Sequence, residues 1–399
     1  MATATTPIWA QGEDFYVPHF QIKVAGRDLG ADVIWDVMQV SYQDRDGDLD
    51  SVTLTVNNWD AKLMKPKYYP SSSSQNDGVF DPGQTFQVVM GYQGKTKNDR
   101  VMMSGEISSI SPAFSESGSL TLTVSAQNSL AKFKKKQHTW SWNDKSPGVP
   151  SPAGWRDTEV VKQICESPVT DNKPGLDLIF DGDPSYADHE TPQPYIAMNN
   201  QFDILFLLER ARRNSYALFI SGVDPSTGKD ILSFKPSEQV RNVTYELGWG
   251  TSLIDFRPTL STANQVGKVT VHARDRKTGS DITASVLFKE IGINADLQKI
   301  ADLIEGREEV ITDKPVRSVG EAKDHGRNTM RNQLNEMVKA SGTTVGLPDL
   351  RAGRQVVIKN IGPVFGGTYF VEETTHTIGD AGYRTSFTAH RVNGEGATA

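Results

Sequence analysis

The chain of 399 residues has a single cysteine, Cys165. It therefore has no intrachain disulfide and no cysteine-based zinc site. That usage suits folding in the cytoplasm, and a disulfide-free exported particle reads the same way. Cationic excess is also missing. Lys and Arg number 42 against 49 Asp and Glu, a formal net charge of −7. A general nucleic-acid binder carries the opposite balance, so that class is disfavoured, although nucleic acid passing without being held is not. No run approaches the roughly 20 apolar residues of a membrane helix. The first residues, Met1 to Ala10, lack a basic start followed by an apolar core, so no signal peptide is expected. Catalytic signatures are absent too: there is no G-x-S-x-G, no phosphate-binding loop and no G-x-G-x-x-G after a strand.

Glycine (34) and proline (20) are plentiful, and 37% of residues are hydrophobic. That composition suits many short strands joined by turns. The most regular stretch is the last, 353–391. Gln355–Gly362, Gly367–Ile378 and Tyr383–Arg391 are rich in β-branched and aromatic residues, with Gly379-Asp380-Ala381-Gly382 as a turn. With the turn centred between Asp380 and Ala381, His376 falls opposite Thr385 and Thr374 opposite Phe387. Strict alternation then puts Phe370, Glu372, Thr374, His376 and Ile378 on one face with Tyr383, Thr385, Phe387 and Ala389. This face is expected to be buried, with His376 structural. Glu373, Thr375, Arg384, Ser386 and Thr388 fall on the other face and are the candidate residues for contact with a lumen or another subunit.

Upstream, at least six alternating segments between 20 and 126 predict an antiparallel barrel or sandwich, because no helix long enough for a parallel crossover intervenes. The proline-rich segment from Trp140 to Trp155 reads as a boundary. A helix capped by Asp157, a second helix over 200–213 and a hairpin near Gly228 form a small α+β unit. A second β block follows, with a helix opening at Ser318 and running to about Ala340, ended by Gly342 and Gly346. The fold class is thus mainly β (α+β), with two similar antiparallel blocks. The expected divisions are a flexible arm 1–14, a first β domain 15–138, a small α+β domain 139–240, a second β domain 241–392 with an inserted helix 318–340, and a tail 393–399.

The chemical candidates are weak. Asp44-x-Asp46-Gly47-Asp48-x-Asp50 fails the calcium-loop pattern, since Leu49 and Thr55 stand at the positions for Gly and Glu. It reads as a solvated turn. Asp188-His189-Glu190 needs further ligands before it holds a metal. Cys165 lies on a helix stripe and reads as core. Lys132 to Lys136 reads as a solvated or partner-facing strand end. No catalytic, cofactor-binding or metal residue is assigned.

Ser318-Val319-Gly320-Glu321-Ala322 opening a helix, Val345-Gly346-Leu347-Pro348-Asp349-Leu350-Arg351-Ala352-Gly353, Gly367-Thr368-Tyr369-Phe370-Val371, Thr375-His376-Thr377-Ile378 and Gly382-Tyr383-Arg384-Thr385-Ser386-Phe387 together resemble the late control D family of phage tail proteins. These are the tail hubs of contractile phages and phage-like injection particles, related to the hub part of type VI secretion spike proteins. The segment 18–56 is similar to their start. The resemblance implies tail-tube-like barrels and a homotrimeric ring that adapts a sixfold tail tube to a threefold spike. It implies tail tube protein, spike protein, other baseplate proteins and the tape measure protein as partners. DNA or protein cargo would pass through the lumen without specific binding, which an acidic surface would suit. The expected location is a virion tail baseplate or extracellular injection particle, assembled in the host cytoplasm, with no cofactor and no enzymatic activity. The chain ends in a short polar tail, so any spike is expected to be a separate protein. Alternatives are a tail-associated cell-wall-degrading enzyme and a secretion-system hub carrying an effector.

Overall fold

The computed structural model describes residues 6–7, 17–45, 49–68, 78–93, 99–114, 120–128, 130–131, 134, 136–143, 154–182, 190, 192–193, 195–214, 216–224, 226–236, 245–263, 265–274, 279–291, 304, 306–312, 316, 318–352 and 354–392. Most of the 1–14 arm, the 46–48 turn tip, the serine run 71–74, Asp188, His189 and the 393–399 tail lie outside the described residues.

Thr6–Pro7 (β1) is part of the expected arm, yet it pairs with a strand far along the chain, at Tyr245–Glu246. The first block comprises β2 (Val17–Val24), β3 (Arg27–Asp28), a short helix α1 (Ala31–Trp35), β4 (Val37–Arg45), β5 (Ser51–Asn57), β6 (Thr85–Gln93), β7 (Arg100–Ala113) and β8 (Thr121–Asn128). Period-2 alternation sends Val52, Leu54, Val56, Leu122, Val124 and Ala126 into one core, with Ile22, Tyr42, Phe86 and Met90. Their neighbours Thr53, Thr55, Thr123 and Ser125 face away from it.

The small α+β unit is built from β9 (Gln137–Asn143), α2 (Asp157–Glu166), β10 (Ile179–Gly182), β11 (Tyr195–Phe202), α3 (Asp203–Asn214), β12 (Tyr216–Val223) and β13 (Asp230–Pro236). The segment beginning at Trp140 is thus not a bare boundary. β9 pairs antiparallel with β11, and Trp142 stacks on Phe206 with ring centroids 5.6 Å apart. Leu130 already belongs to this core, so the unit takes in residues before the expected start at 139. Asp157 is the first residue of α2 rather than its cap. The Arg156 N–H donates to Glu159 at 2.8 Å, and buried Asp157 instead pairs with Arg210 at 3.4 Å. Cys165 is buried in the core, where burial pushes its thiol up to about 12. Glu190 accepts hydrogen bonds from the Thr158 N–H and hydroxyl, and so serves α2. Of the lysine cluster, Lys136 pairs with Asp171 at 3.0 Å.

The second block holds β14 (Tyr245–Gly248) and β15 (Leu253–Leu260). An insert follows, made of β16 (Lys268–Arg274), β17 (Asp281–Leu287), β18 (Glu308–Ile311) and α4 (Val319–Met337). The block then closes with β19 (Val338–Val345), β20 (Gln355–Lys359), β21 (Gly367–Gly379) and β22 (Gly382–Arg391). The helix stops at Met337, short of the expected 340. Val338 and Ala340 alternate with Lys339 as a strand, and Val338 is buried at 0% exposure. Gly342 and Gly346 do not end a helix. Gly342 lies within β19, where a Cβ would stand 2.5 Å from the Phe387 ring.

The two blocks repeat one another. β4-β5-β8-β7-β6 and β15-β19-β22-β21-β20 are the same antiparallel order. Their bulges coincide as well. Pairing steps past Met38 between Val37↔Val56 and Gln39↔Thr55, and past Ile254 between Leu253↔Thr344 and Asp255↔Thr343. It steps past Ser108 between Ile107↔Ala126 and Ser109↔Ser125, and past Glu372 between Val371↔Ala389 and Glu373↔Thr388. A third ladder closes the correspondence: Thr55↔Thr123 in one block answers Thr343↔Ser386 in the other. The insert β16–α4 occupies the place of the short β4–β5 turn.

The closing hairpin has the expected register, with His376 opposite Thr385 and Thr374 opposite Phe387. Its inner face differs. The bulge at Glu372 shifts the alternation, so Tyr369 and Val371 are buried in its first half while Phe370 is only half-buried. Its two ends also serve different cores. Tyr369, Val371, Phe387 and Ala389 pack in the second core, whereas Ile378 and Tyr383 pack in the first.

Candidate assembly face and the junction behind it

β21 is shared. Its first half pairs with β20 and its second half, Glu373–Ile378, pairs with β4. The two blocks therefore form one continuous sheet. A single row of side chains runs from Asp255 through Thr343, Ser386, Thr375, Gln43 and Ser51 to Gln127, crossing seven strands. None is hydrophobic, and all sit on the side away from the cores. This follows from alternation: each strand gives its apolar positions to a core and its Thr, Ser and Gln positions to the opposite face.

All five expected contact residues fall on this face. Arg384, Ser386 and Thr388 are exposed, and Glu373 and Thr375 are half-buried. Glu373 is already engaged within the chain. It accepts from the Gln43 amide and pairs with Arg45 at 3.1 Å, across the β21–β4 join. Charges here are mixed, with Arg45, Arg257, Lys339 and Arg384 among Glu106, Asp255 and Glu373. The chain's acidic excess is not concentrated on the face.

On the core side, the join is held by the loop 346–352, the Gly-Leu-Pro-Asp-Leu-Arg-Ala stretch. Arg351 carries its guanidinium over the Tyr42 ring, 4.7 Å from the centroid, and donates to the Tyr42 hydroxyl. It also donates to the Met102 carbonyl at 3.1 Å and lies 3.8 Å from Asp44. The Ala352 N–H donates to Asp44 at 3.1 Å. Asp50 accepts from the Asn128 amide at 2.9 Å. Burial and the neighbouring Asp44 push Asp50 up to about 8, and burial raises Asp44 as well, against the pull of Arg351. These two aspartates are thus not part of a solvated turn.

His376 completes the join. It is fully buried. Its Nε2–H donates to the Leu350 carbonyl at 2.9 Å, which leaves Nδ1 to accept from the Tyr383 hydroxyl at 3.0 Å and the Thr385 hydroxyl at 3.1 Å. Burial, with Arg351 nearby, lowers its pKa to about 3, so it stays neutral. Tyr92 donates to the Gly346 carbonyl at 3.0 Å, and Arg100 reaches Asp349 at 2.9 Å. Asp44, Asp50 and Arg351 were not legible as partners, because more than 300 positions separate loop and turn. The available signal was the loop's own resemblance motif.

Among the described residues, no three His, Cys, Asp or Glu side chains gather as a metal site. No described helix is long and apolar enough to cross a membrane.

Comparison with known proteins agrees on the fold. The 43 kDa tail protein of prophage MuSo2 from Shewanella oneidensis is similar at TM-score 0.62 and 14% identity, covering 94% of this chain and 98% of that one. A tail protein from Neisseria meningitidis matches at TM-score 0.61 and 12% identity, covering 94% and 97%. A PdpA–VgrG complex of Francisella matches at TM-score 0.53 and 10% identity, over 96% of this chain and 59% of that one. The chain thus has the fold found in phage tail proteins and in VgrG-related proteins. One family profile, the Alg8 N-terminal domain, matches residues 187–380, just under half the chain. No curated protein matches this chain.

Proposed function

We propose that this chain is a structural hub of a contractile phage tail or phage-like injection particle. Three copies form a ring between a sixfold tail tube and a threefold spike. The internal repeat carries this reading. Two blocks in one register, joined in one sheet with one polar face, let three chains offer six near-equivalent positions. The likeness to tail proteins over almost the whole length supports the same assignment.

In this reading the polar face, with Thr375, Arg384, Ser386 and Thr388, lines the lumen, and Glu373 secures the join beside it. Neutral hydroxyl and amide groups, with charges of both signs interspersed, give DNA or protein cargo no fixed site to bind. The first block, the small unit and the second block are its three domains. Tube, spike, other baseplate proteins and tape measure are its partners. The chain assembles in the host cytoplasm and ends in the baseplate or injection particle. The test is mass by light scattering with and without a candidate spike protein. A trimer with the spike is expected, and a strict monomer in its presence overturns the reading. Zymography of the purified chain on peptidoglycan, expected to show no clearing, separates it from a cell-wall hydrolase.

A further inference from the structure

The internal repeat leaves one of its own contacts unmade. Within the chain, the second half of β21 pairs with β4, setting Ile378 opposite Val40, His376 opposite Tyr42 and Thr374 opposite Asp44. In the repeat, β7 corresponds to β21 and β15 to β4. Among the described residues the second half of β7 pairs only with β8, and β15 pairs only with β19 apart from a single bridge between its first residue, Leu253, and Trp249. Among the described residues, no strand covers either corresponding edge over 107–113 and 254–260. Carrying the register across sets Phe114 opposite Phe256, Pro112 opposite Pro258 and Ile110 opposite Leu260. All six are apolar. Phe114 is 66% exposed, whereas its counterpart Ile378 is 7% exposed. Phe256 and Leu260 lie half-buried at the margin of the second core, and Ile110 at the margin of the first.

We infer that these two edges meet between successive copies of this chain, β7 of one copy lying antiparallel along β15 of the next, with Phe114 entering the margin of that copy's second core. The inference rests on the ring reading above and supplies its seam. Each copy uses two different edges, so the contact is head to tail and propagates until it closes. Pro112 and Pro258 have no N–H to donate, so packing of their rings replaces ladder bonds at that step. The same prolines keep each edge from recruiting an arbitrary strand before the correct copy arrives.

Two measurements test the seam. Ser111 and Thr259 fall opposite each other in the transferred register, on the polar face. Ser111→Cys and Thr259→Cys proteins, mixed with a candidate spike protein and mildly oxidised, should give a disulfide-linked two-chain species that neither variant gives alone. An off-register mixture of Ser111→Cys with Arg257→Cys should cross-link at least fivefold more slowly. Phe114→Glu should weaken self-association at least tenfold while leaving the melting temperature unchanged. Oligomers by light scattering without the cross-link, equal rates in the off-register mixture, or unchanged association of Phe114→Glu would overturn the seam and leave the ring reading standing. A chain that stays monomeric with the spike and never cross-links overturns both.

Discussion

Arg351 and Tyr42 are separated by most of the chain, yet the guanidinium of one lies 4.7 Å from the ring centroid of the other and donates to its hydroxyl. The pair ties the loop of the second block to the core of the first. Removing it leaves Asp44 without the cation beside it. Arg351→Ala is expected to destabilise the fold by about 1.5–3 kcal/mol, the usual worth of hydrogen bonds made by a charged group, here those to the Tyr42 hydroxyl and the Met102 carbonyl. Denaturant unfolding measures it. Asp44→Asn in the same chain should recover part of the loss.

The acid pair makes stability depend on pH. Asp50 is held protonated in the fold up to about 8, and Asp44 beside it is also raised. The unfolded chain releases the Asp50 proton near 3.9, so between these values the folded state binds more protons and stability falls as pH rises. His376 acts oppositely. Its folded value near 3 lies below the unfolded 6.5, so its contribution is lost as pH falls through that window. The two effects offset each other between about 4 and 6.5, and above that Asp50, with Asp44 acting in the same direction, sets the decline up to about 8. Asp50→Asn should flatten the decline in melting temperature between pH 6.5 and 8. A wild-type profile that rises over that range would contradict this.

His376→Ala deletes the partner of the Leu350 carbonyl and of the Tyr383 hydroxyl at a fully buried position. A cavity and unpaired polar groups together should cost about 3 kcal/mol or more. His376→Gln should cost less, because it retains a donor. Equilibrium unfolding of the two variants checks the order.

At Gly346 a Cβ would stand 2.1 Å from the Tyr383 ring. Gly346→Ala is therefore expected to lose about 1–3 kcal/mol through overpacking. The loss should shrink when combined with Tyr383→Leu, which clears the space. Thermal unfolding of the single and double variants reads it.

Arg384→Ala and Thr388→Ala lie on the polar face, away from both cores. Each should change stability by no more than about 0.5 kcal/mol. An effect on cargo passage or ring formation, with melting unchanged, would mark the face as functional. A large drop in stability would mark it as structural.

Much of the fold was legible from alternation alone. Val52-Leu54-Val56 and Leu122-Val124-Ala126 read as strands and are strands. The Asp380–Ala381 turn fixed the hairpin register, because a two-residue turn leaves little choice. Alternation failed where one extra residue entered. The Glu372 bulge moved burial from Phe370 to Tyr369, and no local pattern announces a bulge. It failed again at Met337, where an amphipathic helix runs straight into a strand and Val338 and Ala340 fit either period.

By itself the sequence determined the regularly alternating strands, the mainly β class and the residues of the polar face, since these depend on local propensity and side-chain period. Only the tertiary structure decided which strands meet. The splitting of β21 between β20 and β4, the gathering of Asp44 and Asp50 around Arg351, and the repeat that aligns Met38 with Ile254 all depend on pairings between distant segments. Those pairings are selected by the fit of whole faces and cores, and short-range pattern carries no record of them.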